Sequence, residues 1–282
     1  MKTTITIQQR TISIDILKSI CAFLVVCIHA PFPGVVGEYL TVLTRIAVPL
    51  FFMITGYFYS DIVNKGGEVK QIRKILALFL EAILLYFLWK LFLTVLNNNI
   101  IVFFQSTLSI NSFVKFLFLN ESPFSSHLWY LGAILYVLLI TFIADRLNCR
   151  QLLYILTPIL LLGDLILGKY SLIIWNREFP YILLRNFLFV GIPYFCIGCL
   201  IKSGFGRNIS RKMLSALVLF FSFTSLLERF VLVSIDMNST RDHYISTTLL
   251  AITVFLFALK SSIGEETITS RKSIGGGISL LI

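Results

Sequence analysis

Residues 12–30 read ISIDILKSICAFLVVCIHA, an apolar run carrying Asp15 and Lys18 near its start and His29 near its end. A helix over these residues is about 28 Å long, close to the thickness of a bilayer's hydrocarbon core. Charges lie within the run and no small-residue cleavage site follows it, so it reads as a retained spanning helix rather than a signal peptide. Comparable runs recur at 39–60, 73–97, 128–145, 151–167, 183–201, 213–234 and 244–260, giving eight in all. Segment 98–126 differs: its apolar pieces 100–104 and 113–119 are short and flanked by Asn and Ser clusters. It reads as a surface or re-entrant piece.

The composition agrees. AVILMFWYC residues make up 57% of the 282 and charged residues only 13%, against about 45–50% and about 25% in soluble domains. There are too few charges to coat a water-facing surface. The expected fold is all-α, a polytopic bundle of about eight spanning helices. With no internal repeat and no Pro/Gly/Ser linker, residues 1–282 read as a single membrane-embedded domain. Disordered, disulfide-stapled and nucleic-acid-binding classes are poorly supported.

The formal charge of +10 is explained by topology. With the N-terminus in the cytoplasm, sixteen of the 24 Lys and Arg residues fall on cytoplasmic flanks, among them Lys2, Arg10, Arg271 and Lys272. Lys115, Lys169, Arg177 and Arg241 fall opposite, as the positive-inside rule requires. The expected orientation is multi-pass with a cytoplasmic N-terminus. Five cysteines form no disulfide or zinc pattern, and Cys196-x-x-Cys199 reads as apolar packing despite its redox spacing.

An ionisable group inside a bilayer costs roughly 2.5–3.5 kcal/mol on insertion scales, so each calls for a partner or a purpose. On the expected topology His29, Arg45, His127, Arg185, Asn186, Glu228, Arg229 and His243 all lie toward the outer side, whereas Asp15 and Lys18 enter from the cytoplasm. Lys18 and His29 are eleven residues apart, which returns them to within about 20° of one helix face, about 16 Å apart along the axis. That face offers a cation for an anionic donor at one end and an imidazole suited to proton transfer at the other; a snorkelling lysine and an interfacial histidine are the alternative. Arg185 and Glu228 read either as an ion pair across helices or as substrate contacts. Arg45 reads either as an interfacial anchor or as a contact for an anionic group. His127 and Trp129 read either as acceptor contacts or as an aromatic belt. Glu81 and Lys90 fall on opposite faces of their helix and are not expected to pair. Motifs for covalent hydrolases, ATPases, dinucleotide cofactors and zinc proteases are absent.

Arg10-Thr-Ile-Ser-Ile-Asp15-Ile-Leu-Lys18 through His29, followed by Arg45-Ile-Ala-Val-Pro-Leu-Phe-Phe-Met-Ile-Thr-Gly-Tyr57, resembles the opening of the membrane-bound acyltransferase 3 family. His127-Leu-Trp129-Tyr-Leu131, Leu184-Arg185-Asn186-Phe-Leu-Phe and Phe195-Cys-Ile-Gly198 are similar to a branch that includes the membrane domain of vancomycin-resistance serine racemase. The resemblance implies a bundle of about ten helices. It also implies transfer of an acyl group, commonly acetyl, from cytoplasmic acyl-CoA to a hydroxyl or amine of a sugar or other envelope-side acceptor. Acyl-CoA is then a substrate, and no tightly bound cofactor is implied. The residue matching His29 is the family's essential catalytic group, with the base matching Lys18 its companion. Asp15, Arg45, His127, Trp129, Arg185, Asn186 and Glu228 are the expected substrate contacts. Thr55 stands where the family has serine, preserving a small hydroxyl and a close helix approach at Thr55-Gly56. The family pattern continues past Ile282 with a Tyr-x-x-His-Pro-like segment, so a shortened and inactive chain is one expectation. A transporter or sensor on this fold, for example one handling serine, is another.

Overall fold

The computed structural model describes residues 12–98, 100–107 and 109–261. Arg10, the other terminal cations and the Gly-rich tail from Ser273 lie outside them. Every regular element among the described residues is helical. The order is α1 (Ile12–His29), α2 (Gly34–Thr44), α3 (Ala47–Val63), α4 (Glu68–Leu96), α5 (Ile100–Thr107), α6 (Ile110–Leu119), α7 (Trp129–Arg146), α8 (Arg150–Leu167), α9 (Ser171–Trp175), α10 (Ile192–Lys202), α11 (Arg211–Ser234) and α12 (Ile245–Lys260). Six segments are long and apolar enough to cross a membrane: α1, Gly34–Val63, α4, Ser126–Arg146, α8 and α11. The remaining two expected spans are the shorter Phe187–Lys202 and Ile245–Lys260. This is an all-α, multi-pass membrane protein.

Two boundaries differ from the sequence reading. The span expected at 39–60 is a pair, α2 and α3, offset at Arg45-Ile46. The span expected from 183 starts at Phe187 with a wide π turn over Phe187–Gly191. Pro193 explains the wide turn, because it has no N–H to continue a regular ladder backward. Segment 98–126 holds α5 and α6, each too short to span. They lean on α4 through Phe87 with Phe103 and Phe79 with Phe116, at centroid distances of 6.0 and 5.8 Å.

Helices α3 and α10 form the centre, with Phe52, Met53, Tyr59, Tyr194 and Phe195 almost fully buried. Their approach depends on two glycines. A Cβ on Gly56 would lie 2.0 Å from the Phe195 carbonyl oxygen, and one on Gly198 would lie 2.0 Å from that of Met53. Small residues permit such backbone contact where apolar burial alone gives no drive to associate. Cys199 donates its thiol to the Gly56 carbonyl at 3.2 Å, and Cys196 is buried beside it. Outward faces of α4, α8 and α11 carry Leu84, Leu85, Phe92, Ile155, Leu219 and Phe223 exposed, as lipid contact requires.

Polar contacts sort the loops into two ends. At one, Lys202 pairs with Asp61 at 2.8 Å, Arg150 with Asp145 at 3.5 Å, and Lys260 donates to the Arg207 carbonyl at 2.7 Å. At the other, Glu38 meets Arg229, Arg45 meets Asp242, and Thr240 N–H donates to Glu178. Alternate loops therefore share an end, matching the partition by which the cations were counted.

Candidate functional site: a cavity running along the first helix

Helix α1 presents Lys18, Ala22, Val25, Val26 and His29 to one cavity of about 1020 Å³. Lys18 and His29 share a face because eleven residues close to within about 20° of three whole turns. Lys18 is part-exposed, 3.5 Å from Asp15, with its ammonium 5.9 Å from the centre of the Phe58 ring. Gln71 and Lys74 of α4 line the same cavity. Between the two ends the wall is mainly apolar, from Ala22, Val25, Phe51, Ile54, Leu78 and Ile134.

The His29 end is polar. His29 and His127 are both exposed at the mouth, and their rings meet edge to face with centroids 4.3 Å apart. His127 reaches this place because Ser125 caps the short turn before α7 by accepting its N–H. Two residues on, Trp129 is buried with the Arg185 guanidinium 4.7 Å above its ring. Arg45 stands in the offset between α2 and α3 and meets Asp242 at 2.5 Å. Tyr181 donates its hydroxyl to the same carboxylate. Burial opposes the charge of Asp242, but Arg45 and His243 outweigh it and hold the carboxyl below its ordinary range. His243 bonds Asp164 at 2.8 Å. Burial alone would discharge that imidazole, but the Asp164 carboxylate reverses the balance and raises its pKa above the ordinary value. All three histidines line this cavity.

Of the expected site residues, Lys18, His29, Arg45, His127, Trp129 and Arg185 are brought together here. Three are not on the wall. Asp15 faces Lys18 from outside it. Asn186 instead caps the π turn, its Oδ1 accepting from Leu188 N–H at 2.9 Å and Phe189 N–H at 3.2 Å. The expected Arg185–Glu228 pair is not formed. Glu228 accepts from the N–H groups of Ile245 and Ser246 at 3.0 and 3.2 Å. A carboxylate at those unsatisfied donors, on the positive end of α12, is better placed than one stretched toward a distant guanidinium. Glu81 and Lys90 do not pair, as expected: Glu81 lines the cavity and Lys90 donates to the Pro123 carbonyl at 2.7 Å.

Lys74 and Arg241, read from the sequence only as topology markers, and Asp164, Tyr181 and Asp242 also line the cavity. Asp164 was detectable as a lone carboxylate in the run LLLGDLIL, and Arg241-Asp242-His243 as three charged or titratable residues just before an apolar run.

The sequence model of the acyltransferase domain, acyltransferase 3, matches residues 11–280. The chain belongs to this family. A protein named amino-acid racemase from Enterococcus faecalis is 34% identical to it over 158 residues, half of this chain and 21% of that protein. This acyltransferase 3 chain thus matches about a fifth of the length of that curated relative. No solved structure matches it.

Proposed function

We propose that this acyltransferase 3 chain moves an acyl group, most simply acetyl, from acyl-CoA at the cytoplasmic face to a hydroxyl or amine at the outer face. The observation that carries the reading is the single cavity lined by Lys18 at one end and His29 at the other. Lys18, with Lys74 beside the same space, favours the anionic end of the donor. The apolar middle suits the acyl-bearing arm. His29 takes the proton from the acceptor as its oxygen or nitrogen attacks the thioester carbonyl. The new C–O or C–N bond forms, the C–S bond breaks, and the imidazolium returns the proton to the leaving thiolate. On this reading the Lys18 end faces the cytoplasm of a bacterial inner membrane, and the acceptor is a sugar or other envelope component.

The test is transfer of labelled acetyl from acetyl-CoA by membranes carrying the chain or H29A at equal protein level. Loss in H29A is expected; unchanged transfer removes His29 from the mechanism. The similarity to an amino-acid racemase favours a second reading, a membrane domain that handles an amino acid without acyl chemistry. That reading expects vesicles to accumulate amino acid with no acyl donor present.

A further inference from the structure

Charges around the outer end of the cavity are matched, with one exception. Arg45 has Asp242 at 2.5 Å, His243 has Asp164 at 2.8 Å, and Arg241 has Glu178 at 3.6 Å and the Phe179 carbonyl as acceptor for its Nε at 3.0 Å. Arg185 differs. Among the described residues its guanidinium donates no hydrogen bond and has no carboxylate within ion-pair distance; it acts on Asp242 only at longer range, that carboxylate being bonded to Arg45 and Tyr181, and its contacts are the faces of Trp129 at 4.7 Å and Tyr181 at 5.3 Å. It lines the cavity beside Trp129, two residues from the imidazole that touches His29.

A guanidinium presents five donors in a planar fork matched to carboxylate and phosphate. Two aromatic faces fix the plane of this one without using any of those donors, so its edge is free for a ligand. A half-buried guanidinium with its donors unused is matched best by an anion, which can accept two of them at once. The donor's phosphates are assigned to the Lys18 end, so the partner at this end belongs to the other substrate.

We propose that Arg185 is an anion-recognition residue, and that the molecule whose hydroxyl or amine is presented to His29 carries a carboxylate or a phosphate. Calling that molecule an acceptor rests on the acyl-transfer reading; the binding site does not. The anion comes either from a soluble acidic metabolite or from the phosphate of a lipid.

The test is equilibrium binding to the full chain in zwitterionic nanodiscs with no acyl donor. The probes are radiolabelled D-glucuronate, D-glucose 6-phosphate and D-glucose. The two acids are expected to bind at least about tenfold more tightly than glucose, since one charge-assisted pair is worth about that factor or more. R185Q should reduce the preference to less than about threefold and R185K should keep part of it, both with wild-type thermal midpoints. Adding phosphatidylglycerol to the discs separates the sources: displacement of the acids assigns the anion to a lipid headgroup, and its absence to a soluble acid. Equal binding of acid and neutral sugar by the unaltered chain, or a preference unchanged in R185Q, overturns the proposal. H29A should keep the preference while losing transfer, so failure of the acyl-transfer reading and failure of this one give different results.

Discussion

The imidazoles of His29 and His127 come from elements nearly a hundred residues apart and meet edge to face, 4.3 Å between centroids, at the mouth of the cavity. Such a contact fixes the ring plane of His29 without occupying both of its nitrogens. If His29 is the base, H29A should lower kcat/KM by about 10²–10⁴, the range for a lost general base. H127A should lower it less, by leaving the ring free to turn. H127F, which refills the contact with an aromatic edge, should recover most of that loss. Acetyl transfer measured across the three variants checks this, and an H127F as poor as H127A would make the second nitrogen pair, not the packing, the operative feature.

Gly56 and Gly198 test whether the centre tolerates even one methyl. A Cβ at either position would collide with a backbone carbonyl at 2.0 Å, and neither α3 nor α10 can give way without moving the other. G56A and G198A should each destabilise by about 1–3 kcal/mol, the usual cost of overpacking. Cys21, Cys27, Cys196 and Cys199 are buried free thiols, so with the half-buried Cys149 replaced by serine a thiol-reactive fluorophore reports the unfolding midpoint. Midpoints equal to the parent's would mean that the helices slide apart at little cost.

The long spans were legible because each is set by local chemistry: an apolar run of sufficient length, with cations at one end. The same was true of Lys18 and His29, whose shared face follows from helix geometry alone. Arg185 shows where that logic stops. Its partner depends on which loops pack together, and charge complementarity suggested Glu228. The structure spends Glu228 on the bare N–H groups of α12 and sets Arg185 on Trp129 and Tyr181. Asn186 misled for a related reason, since an amide beside an expected site residue is also an ordinary helix cap. The position of α10 was readable, but its wide first turn was not, because it arises from Pro193 inside an otherwise regular apolar run.

The His243–Asp164 bond gives stability a pH dependence of definite sign. The folded-state pKa of His243 lies above its ordinary value, because the carboxylate outweighs burial. Its contribution is therefore complete below about 6.5, the unfolded value, and is lost as pH rises through the folded one. D164N should lower the unfolding midpoint most at pH 6 and progressively less toward pH 8–9. A difference between parent and D164N that is constant over that interval would show the imidazole to be neutral throughout.

Lys169 acts in the opposite sense. Its ammonium, in the turn after α8, is buried against the Tyr244 ring at 4.3 Å, and it donates to the Ser239 carbonyl at 2.6 Å and to Asn238 Oδ1 at 3.2 Å. Burial lowers its pKa to about 8, despite the nearby Asp242 charge. Between that value and about 10.4, where the unfolded lysine titrates, the unfolded chain holds the extra proton, so this group makes stability rise with pH. Cysteines and tyrosines of the unfolded chain titrate in the same interval, so the comparison is with K169M rather than with the parent alone. Subtracting the K169M midpoints should leave a difference that increases from pH 8 to pH 10. A flat or falling difference would mean that the carbonyl and amide acceptors hold the ammonium charged in place, and that its burial imposes no net cost on the protonated form.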